Sequence, residues 1–249
     1  MIYDIVIVAH EKDFHKLEYC IKYACENLEF DEIHLILSER LDYLDKDKLE
    51  KFNKPIFYHK ETDVLKINKD KIKFRPNWIY QMYLKMFQNV TKNDNFLVIE
   101  SDAIINSKLS FFDNNKTIFH LGIDQNNEQY YNFNRKMLNI GREYNFSFIS
   151  ELMMYNKNIV NDMIIKSDCL GLEEFLEKSY NIIDINCYPA DYELYGNFCY
   201  KYHFDNFCVN KILTSQNRKY GGQPFNLNEI NYLINKNNKC DIITHHSCE

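Results

Sequence analysis

The sequence predicts an α/β fold, a mainly parallel sheet flanked by helices, with a mixed C-terminal half. Three observations carry the prediction. Short, almost uncharged apolar runs recur between residues 1 and 102, as expected of strands buried on both faces. Segments with helical apolar spacing separate them, giving a β-α-β-α-β opening with right-handed crossovers. After Asp102 the pattern changes to strand-like pieces set among polar stretches and further helices.

In order, Ile2–Ala9 reads as the first strand, broken only by Tyr3 and Asp4. A helix follows with Leu17, Cys20, Ile21, Ala24 and Leu28 on one stripe. Glu32–Ser38 is a second strand, Leu41–Phe52 a charged helix and Pro55–Tyr58 a short strand. Pro76 opens a helix running to about Asn89, since proline suits a first helical turn. Phe96–Glu100 is an apolar strand running through Ser101-Asp102 into Ala103–Ile105. Strand-like pieces at Thr117–Leu121 and Phe146–Ile149 surround a polar, Asn-rich stretch from Gln125 to Asn134. Helices are expected at Asn158–Lys166, Leu172–Ser179 and Tyr192–Tyr200, with closing strands at Val209–Ser215 and Asp241–Thr244. No linker or repeat divides the chain. It reads as one domain over 1–249, in two halves, 1–102 and 103–249.

Composition narrows the function. Hydrophobic residues are 45% and charged residues 27% of 249, which is globular and not disordered chemistry. The net charge of −6 argues against a chain-wide grip on nucleic acid, although a local basic cleft is compatible with it. No uncharged apolar run is long enough to span a bilayer, while peripheral association with a membrane stays open. Six glycines leave no G-x-G-x-x-G, no Walker loop and no G-x-S-x-G elbow, so side chains or a metal would have to neutralise a phosphorylated ligand. The eight cysteines form no C-x-x-C pair and the opening segment has no basic leader. Reduced thiols in a cytoplasmic protein are therefore expected.

Four features can carry chemistry. Glu100-Ser101-Asp102 follows a buried strand, where open α/β sheets place their ligands, and two carboxylates there suit Mn²⁺ or Mg²⁺. On the Pro76 helix, Trp78, Gln81, Lys85 and Gln88 share a face, with Arg75 just before it. That face is either solvated or turned to an anionic ligand. Asp191–Asn197 alternates two acids with two tyrosines at a helix start, so either acid could be a general base or favour the helix dipole. His245-His246 near the C-terminus and His10 after the first strand are candidate metal or ligand contacts.

The segments DIVIVAHEKD, RPNWIYQMYLKM, FLVIESDAI, FISELMMYNKNIV, DYELYGNF and THHS occur in that order. Together they resemble the GT-A class of nucleotide-sugar glycosyltransferases, whose fold is Rossmann-like. More narrowly they are similar to transferases of bacterial and viral surface-glycan clusters of the capsule and lipopolysaccharide type. The chain departs from the usual motif in carrying Glu100 where Asp is commoner. The resemblance implies a transferase of hexosyl or pentosyl groups in polysaccharide biosynthesis, with a UDP- or GDP-sugar donor and a glycan acceptor. It implies donor contacts at Ala9, His10, Lys12 and Asp13, at Arg75, Trp78, Gln81 and Lys85, and at Glu100 and Ser101. It implies Mn²⁺ or Mg²⁺ on Asp102 and Glu100 with His245 and His246, and acceptor contacts at Tyr192, Tyr195 and Asn197. Asp191 or Glu193 would take the acceptor proton, inverting the anomeric carbon if one does, with Glu193 favoured because Asp191 is the better helix cap. Two other readings are a nucleotidyltransferase using carboxylate-held metal, against which the scarcity of glycine counts, and a non-catalytic sugar-nucleotide-binding protein.

Overall fold

The computed structural model describes residues 1–220 and 225–248. The chain begins with β1 (Asp4–Ala9), α1 (Phe14–Asn27) and β2 (Ile33–Leu37). The helix expected over Leu41–Phe52 forms only a 3-10 turn at Leu41–Tyr43 and the single turn α2 (Asp47–Glu50). α2 buries Leu49 alone, so no apolar stripe holds a longer helix against the core. Next come β3 (Ile56–Lys60), the short α3 (Glu61–Val64), α4 (Pro76–Phe87), β4 (Asn95–Ile99) and β5 (Ala103–Ile105).

The second half contains β6 (Phe112–Asp113), β7 (Lys116–Leu121), α5 (Glu128–Leu138) and β8 (Leu152–Asn156). They are followed by α6 (Lys157–Lys166), α7 (Leu172–Ile182), α8 (Asp191–Tyr202), β9 (Phe207–Lys211), β10 (Thr214–Tyr220), α9 (Leu227–Lys236) and β11 (Ile242–Cys248). Four sequence expectations are corrected here. The strand lies not at Phe146–Ile149 but at β8, whose run Leu152–Tyr155 is buried on both faces. The Asn-rich stretch is helical, because Tyr130, Tyr131, Phe133, Met137 and Leu138 recur on the buried side of α5 between polar residues. The single strand expected over Val209–Ser215 is two strands of different sheets, β9 and β10, parted at Ile212-Leu213. α9 was not foreseen, and it starts at a capping box between Asn226 and Glu229.

The central sheet has the order β3-β2-β1-β4-β8. Its first four strands are parallel, and β8 runs antiparallel to β4, pairing Leu97 with Met154. Alternation divides the strand side chains between two cores. Val6, Val8, Phe96, Val98 and Tyr155 face α4, α5, α6, α7 and α8. Ile5, Ile7, Leu35, Leu97 and Met154 face α1 and β5. A second sheet, β10-β11-β5, pairs β11 antiparallel to β5, and a third has the order β6-β7-β9. Asp4, which interrupts the first apolar run, is fully buried. Its carboxylate accepts the backbone N–H groups of Lys92 and Asn93, both at 3.0 Å, and Asn93 Nδ2 at 2.7 Å, anchoring the loop that leads into β4. Among the described residues no helix is long and apolar enough to cross a membrane. The seven cysteines with described side chains are free thiols, and the side chain of Cys248 lies outside the described set.

α8 packs close to the core through its one glycine. A Cβ built on Gly196 would lie 2.2 Å from Phe148 Cγ, and Phe148 is itself fully buried. Gly196→Ala should therefore destabilise the protein. Overpacking costs about 1–3 kcal/mol, against about 1 kcal/mol gained in helix propensity. A lower urea midpoint with an unchanged slope is the expected result.

Candidate active site

The carboxyl ends of β1 and β4 open into a cavity of about 750 Å³ bounded by α4, α8 and β11. The turn joining β4 to β5 is tight, with Ala103 N–H donating to Glu100 O at 3.0 Å, and Glu100 N–H donating to Glu151 O just before β8. Glu100, Asp102 and Glu151 thus reach one cavity wall. Glu151 was not foreseen, because the link between β4 and β8 is made across about fifty residues by the sheet register alone.

Cations from distant parts of the chain meet these carboxylates. Lys85 of α4 is buried and donates to Glu100 Oε1 at 2.5 Å, and Tyr192 OH donates to the same oxygen at 2.9 Å. Burial lowers the Lys85 pKa, but the charges of Glu100 and Asp191 outweigh it and the net shift is upward. Lys85 is therefore not on a solvated face. Gln88, expected beside it, is also buried and accepts the Val90 N–H at 2.8 Å as a cap to the following turn. Asp102 Oδ2 lies 2.7 Å from His246 Nδ1 and 3.8 Å from Lys16 Nζ, which also pairs with Asp13 at 2.7 Å. Lys16 lines the cavity and was missed, since its place on α1 marks it only as a helix residue.

The electrostatics follow from this crowding. Burial pushes the Asp102 carboxyl up, yet the hydrogen bond and charge of His246 and the charge of Lys16 prevail and hold it at about 2. Burial and the negative charges of Glu100 and Asp102 push Glu151 to about 7, although Gln216 donates to it at 3.0 Å. Asp191 is raised to about 6, chiefly by burial, against the opposing charge of Lys85. It sits at the first turn of α8 and accepts from Tyr155 OH at 3.3 Å. It does not cap that helix, whose N-cap is Ala190.

Of the residues singled out in the sequence, Ala9, His10, Lys12 and Asp13 line the cavity beyond β1. Arg75, Trp78, Gln81 and Lys85 line it from the α4 side. Arg75 takes a left-handed backbone conformation, φ 45°, and its guanidinium lies 4.1 Å from the Trp78 ring centre. Ser101, Asp191, Tyr192 and His246 complete the set. Four expected residues lie elsewhere. Glu193 is fully buried and accepts from Ser147 Oγ at 2.5 Å, Asn197 Nδ2 at 2.8 Å and Phe148 N–H at 3.2 Å. Asn197 is spent on Glu193 and on the Glu143 N–H, and Tyr195 OH accepts the Asn156 N–H at 2.9 Å. The two acids diverge because residues two apart on a helix point about 200° from each other. His245 is fully buried against Phe225, because alternation along β11 turns it away from the face that carries His246.

A separate group lies at the opposite, amino ends of β1 and β2. Asp4, Glu32 and His34 bring three potential metal-ligand atoms within 4.8 Å of one another.

No protein-family model matches the chain, and no curated protein matches it in sequence. Solved structures do match. Mouse xyloside xylosyltransferase 1 aligns over 98% of this chain and 97% of its own, at 11% identity and a TM-score of 0.51. The galactosyltransferase LgtC, solved with donor and acceptor sugar analogues, aligns over 97% and 86% at 12% identity and a TM-score of 0.46. The fold is thus one shared with the mouse xylosyltransferase, a GT-A-type, Rossmann-like α/β fold with a mainly parallel central sheet.

The two acids of α8 should respond differently to substitution. Glu193→Ala takes their acceptor from Ser147 Oγ and the Phe148 N–H and leaves Asn197 Nδ2 only the Glu193 carbonyl, at about 1–3 kcal/mol for each unsatisfied donor, and should lower stability severely in denaturant titration. A carboxyl whose folded pKa is raised, as at Asp191, destabilises the fold above that pKa and ceases to do so below its unfolded value. Asp191→Asn should therefore raise stability at pH 7 by on the order of 1–3 kcal/mol, with the gain fading as the pH falls below about 6 and gone below about 4.

Proposed function

We propose that the protein is a glycosyltransferase that moves a sugar from a nucleoside diphosphate sugar to a hydroxyl of a glycan acceptor, with Mn²⁺ or Mg²⁺ as cofactor. The observation that carries this reading is the carboxylate-lined cavity at the strand carboxyl ends, where burial and then the charges of Glu100 and Asp102 raise Glu151 to about 7. Buried carboxylate charge is what a divalent cation relieves, and carboxylate oxygens suit Mn²⁺ or Mg²⁺, an imidazole ligand favouring Mn²⁺ of the two. Asp102 and His246 are the ligands this reading assigns, with Glu100 beside them. A cation bound there supplies positive charge opposite the departing diphosphate.

The chain's own residues take the other roles. In this reading residues 1–102 form the donor half of a single domain and 103–249 the acceptor half. The segment from Ala9 to Asp13 receives the nucleoside, and Lys12 and Lys16 meet the diphosphate. Lys85 is held by Glu100 and faces the transferred sugar, with Gln81 one turn earlier on α4. Trp78 and Tyr192 supply aromatic surface for sugar rings. Asp191, raised to about 6, is matched to accept a proton near neutral pH. The acceptor O–H proton passes to its carboxylate as the acceptor oxygen bonds to the anomeric carbon, and the bond from that carbon to the diphosphate breaks. Glu193 has no part in this step. UDP- and GDP-sugars are both donors to test, a xylosyl donor first, because the mouse protein of the same fold is a xylosyltransferase. The free thiols support a cytoplasmic location.

Product analysis tests the class. Nucleoside diphosphate should be released from a nucleotide sugar in a metal-dependent reaction. Release of pyrophosphate from a nucleoside triphosphate would make the protein a nucleotidyltransferase, and binding without turnover would make it a binding protein. Asp102→Asn should abolish Mn²⁺-dependent binding of nucleoside diphosphate in calorimetry while the circular dichroism spectrum is unchanged. Asp191→Asn should keep donor binding and lose turnover by on the order of 10²-fold or more. Unaltered affinity in the first variant would remove the metal from Asp102, and unaltered turnover in the second would remove the proton from Asp191.

A further inference from the structure

We infer that Asp4, Glu32 and His34 form a second cation site, for a divalent transition metal such as Zn²⁺, at the end of the sheet opposite the cavity. The site is independent of the transferase reading. Asp4 is the first residue of β1, Glu32 directly precedes β2, and His34 is the second residue of β2. Parallel pairing of β1 with β2 puts Val6 beside His34. Alternation along both strands therefore aligns Asp4, Glu32 and His34 on one face of the sheet. One potential ligand atom from each falls within 4.8 Å of the others.

Two carboxylates together are not a metal site, and the imidazole supplies the second observation. His34 is 3% exposed and its Nε2 has no hydrogen-bond partner, with Glu32 Oε1 at 3.5 Å. Its Nδ1 lies 3.0 Å from His59 Nε2, and the two rings stack with centroids 5.3 Å apart. A metal-binding imidazole characteristically spends its other ring nitrogen on such a hydrogen bond, which fixes the tautomer and aims the free lone pair. When His34 Nδ1–H donates to His59, the Nε2 lone pair faces the carboxylates of Asp4 and Glu32. Lys92 Nζ meets only Oε2 of Glu32, at 3.1 Å, so the lone pairs turned toward one another repel until a cation between them makes them a set of N,O,O ligands. The opposite tautomer places an N–H against Glu32 Oε1 at a separation too long for a sound hydrogen bond.

The carboxylates are already oriented by the chain. Asp4 is held by Asn93 Nδ2 and by the N–H groups of Lys92 and Asn93, and Glu32 Oε2 by Lys92 Nζ at 3.1 Å. Imidazole with two carboxylates suits Zn²⁺ more than Ca²⁺ or Mg²⁺, which prefer all-oxygen shells. Three protein ligands leave a further position to water. The ion would clip the amino ends of β1 and β2 to each other, so its contribution is to folding stability.

The test uses the full chain carrying Asp102→Asn, so that binding at the cavity does not contribute. After chelator treatment and dialysis, calorimetric titration with Zn²⁺ should give one site and a higher melting temperature, and Co²⁺ should give visible absorption bands. His34→Ala should remove both. Glu32→Gln, at a partly exposed position, provides the same test if His34→Ala does not fold. His59→Phe keeps the stacked ring, removes only the partner of Nδ1, and should weaken Zn²⁺ about 10- to 100-fold. Absence of Zn²⁺ binding in the Asp102→Asn chain would overturn the proposal, as would binding unchanged by both His34→Ala and Glu32→Gln.

Discussion

The site is organised around one electrostatic constraint, three carboxylates held in a single cavity by the backbone. Glu100 and Asp102 are locked by the turn between β4 and β5, and Glu151 is tied to that turn through its carbonyl oxygen. Burial, with the repulsion of the other two added, pushes Glu151 to about 7. Buried charge of one sign must be paired or neutralised. Lys85 pairs with Glu100, Lys16 and His246 pair with Asp102, and Gln216 donates to Glu151, each from a different element.

That requirement explains the placement of the surrounding elements. α1 brings Lys16 to the cavity wall, α4 brings Lys85, and α8 brings Asp191 and Tyr192. The antiparallel pairing of β11 with β5 is the longest connection in sequence. It aligns Thr244 with Ala103, so that His246 lies against Asp102. A carboxylate, an imidazole and the cavity are thereby joined by main-chain register and not by loop geometry. The same strand alternation that presents His246 buries His245.

Much of this was legible in the local pattern. The β-α-β opening, the strand ending at Ile99, the Pro76 helix and the acidic start of α8 are each set by periodicity or turn chemistry within a short window. Glu100, Asp102, Lys85, Asp191 and His246 could be singled out for the same reason. Less legible was α5, whose aromatic stripe is interrupted by asparagines. Likewise β8 could not be found from Leu152–Tyr155, because a short apolar run has no period that separates strand from helix. Glu151 lies inside the segment FISELMMYNKNIV with no local pattern that marks it, and Lys16 carries no motif.

What the sequence by itself determined was therefore the alternation of elements and the chemical types at their ends, since both depend on residues close in the chain. Tertiary structure decided which of those residues share a cavity. Glu193, Tyr195 and Asn197 belong to the same short motif as Asp191 and Tyr192, yet helix rotation commits them to Ser147, Phe148, Glu143 and Asn156 in the core. Glu151 and His246 reach Asp102 only through pairings of β8 with β4 and of β11 with β5. Long-range strand register is set by burial of whole faces against the rest of the fold, and no local window of sequence contains that information.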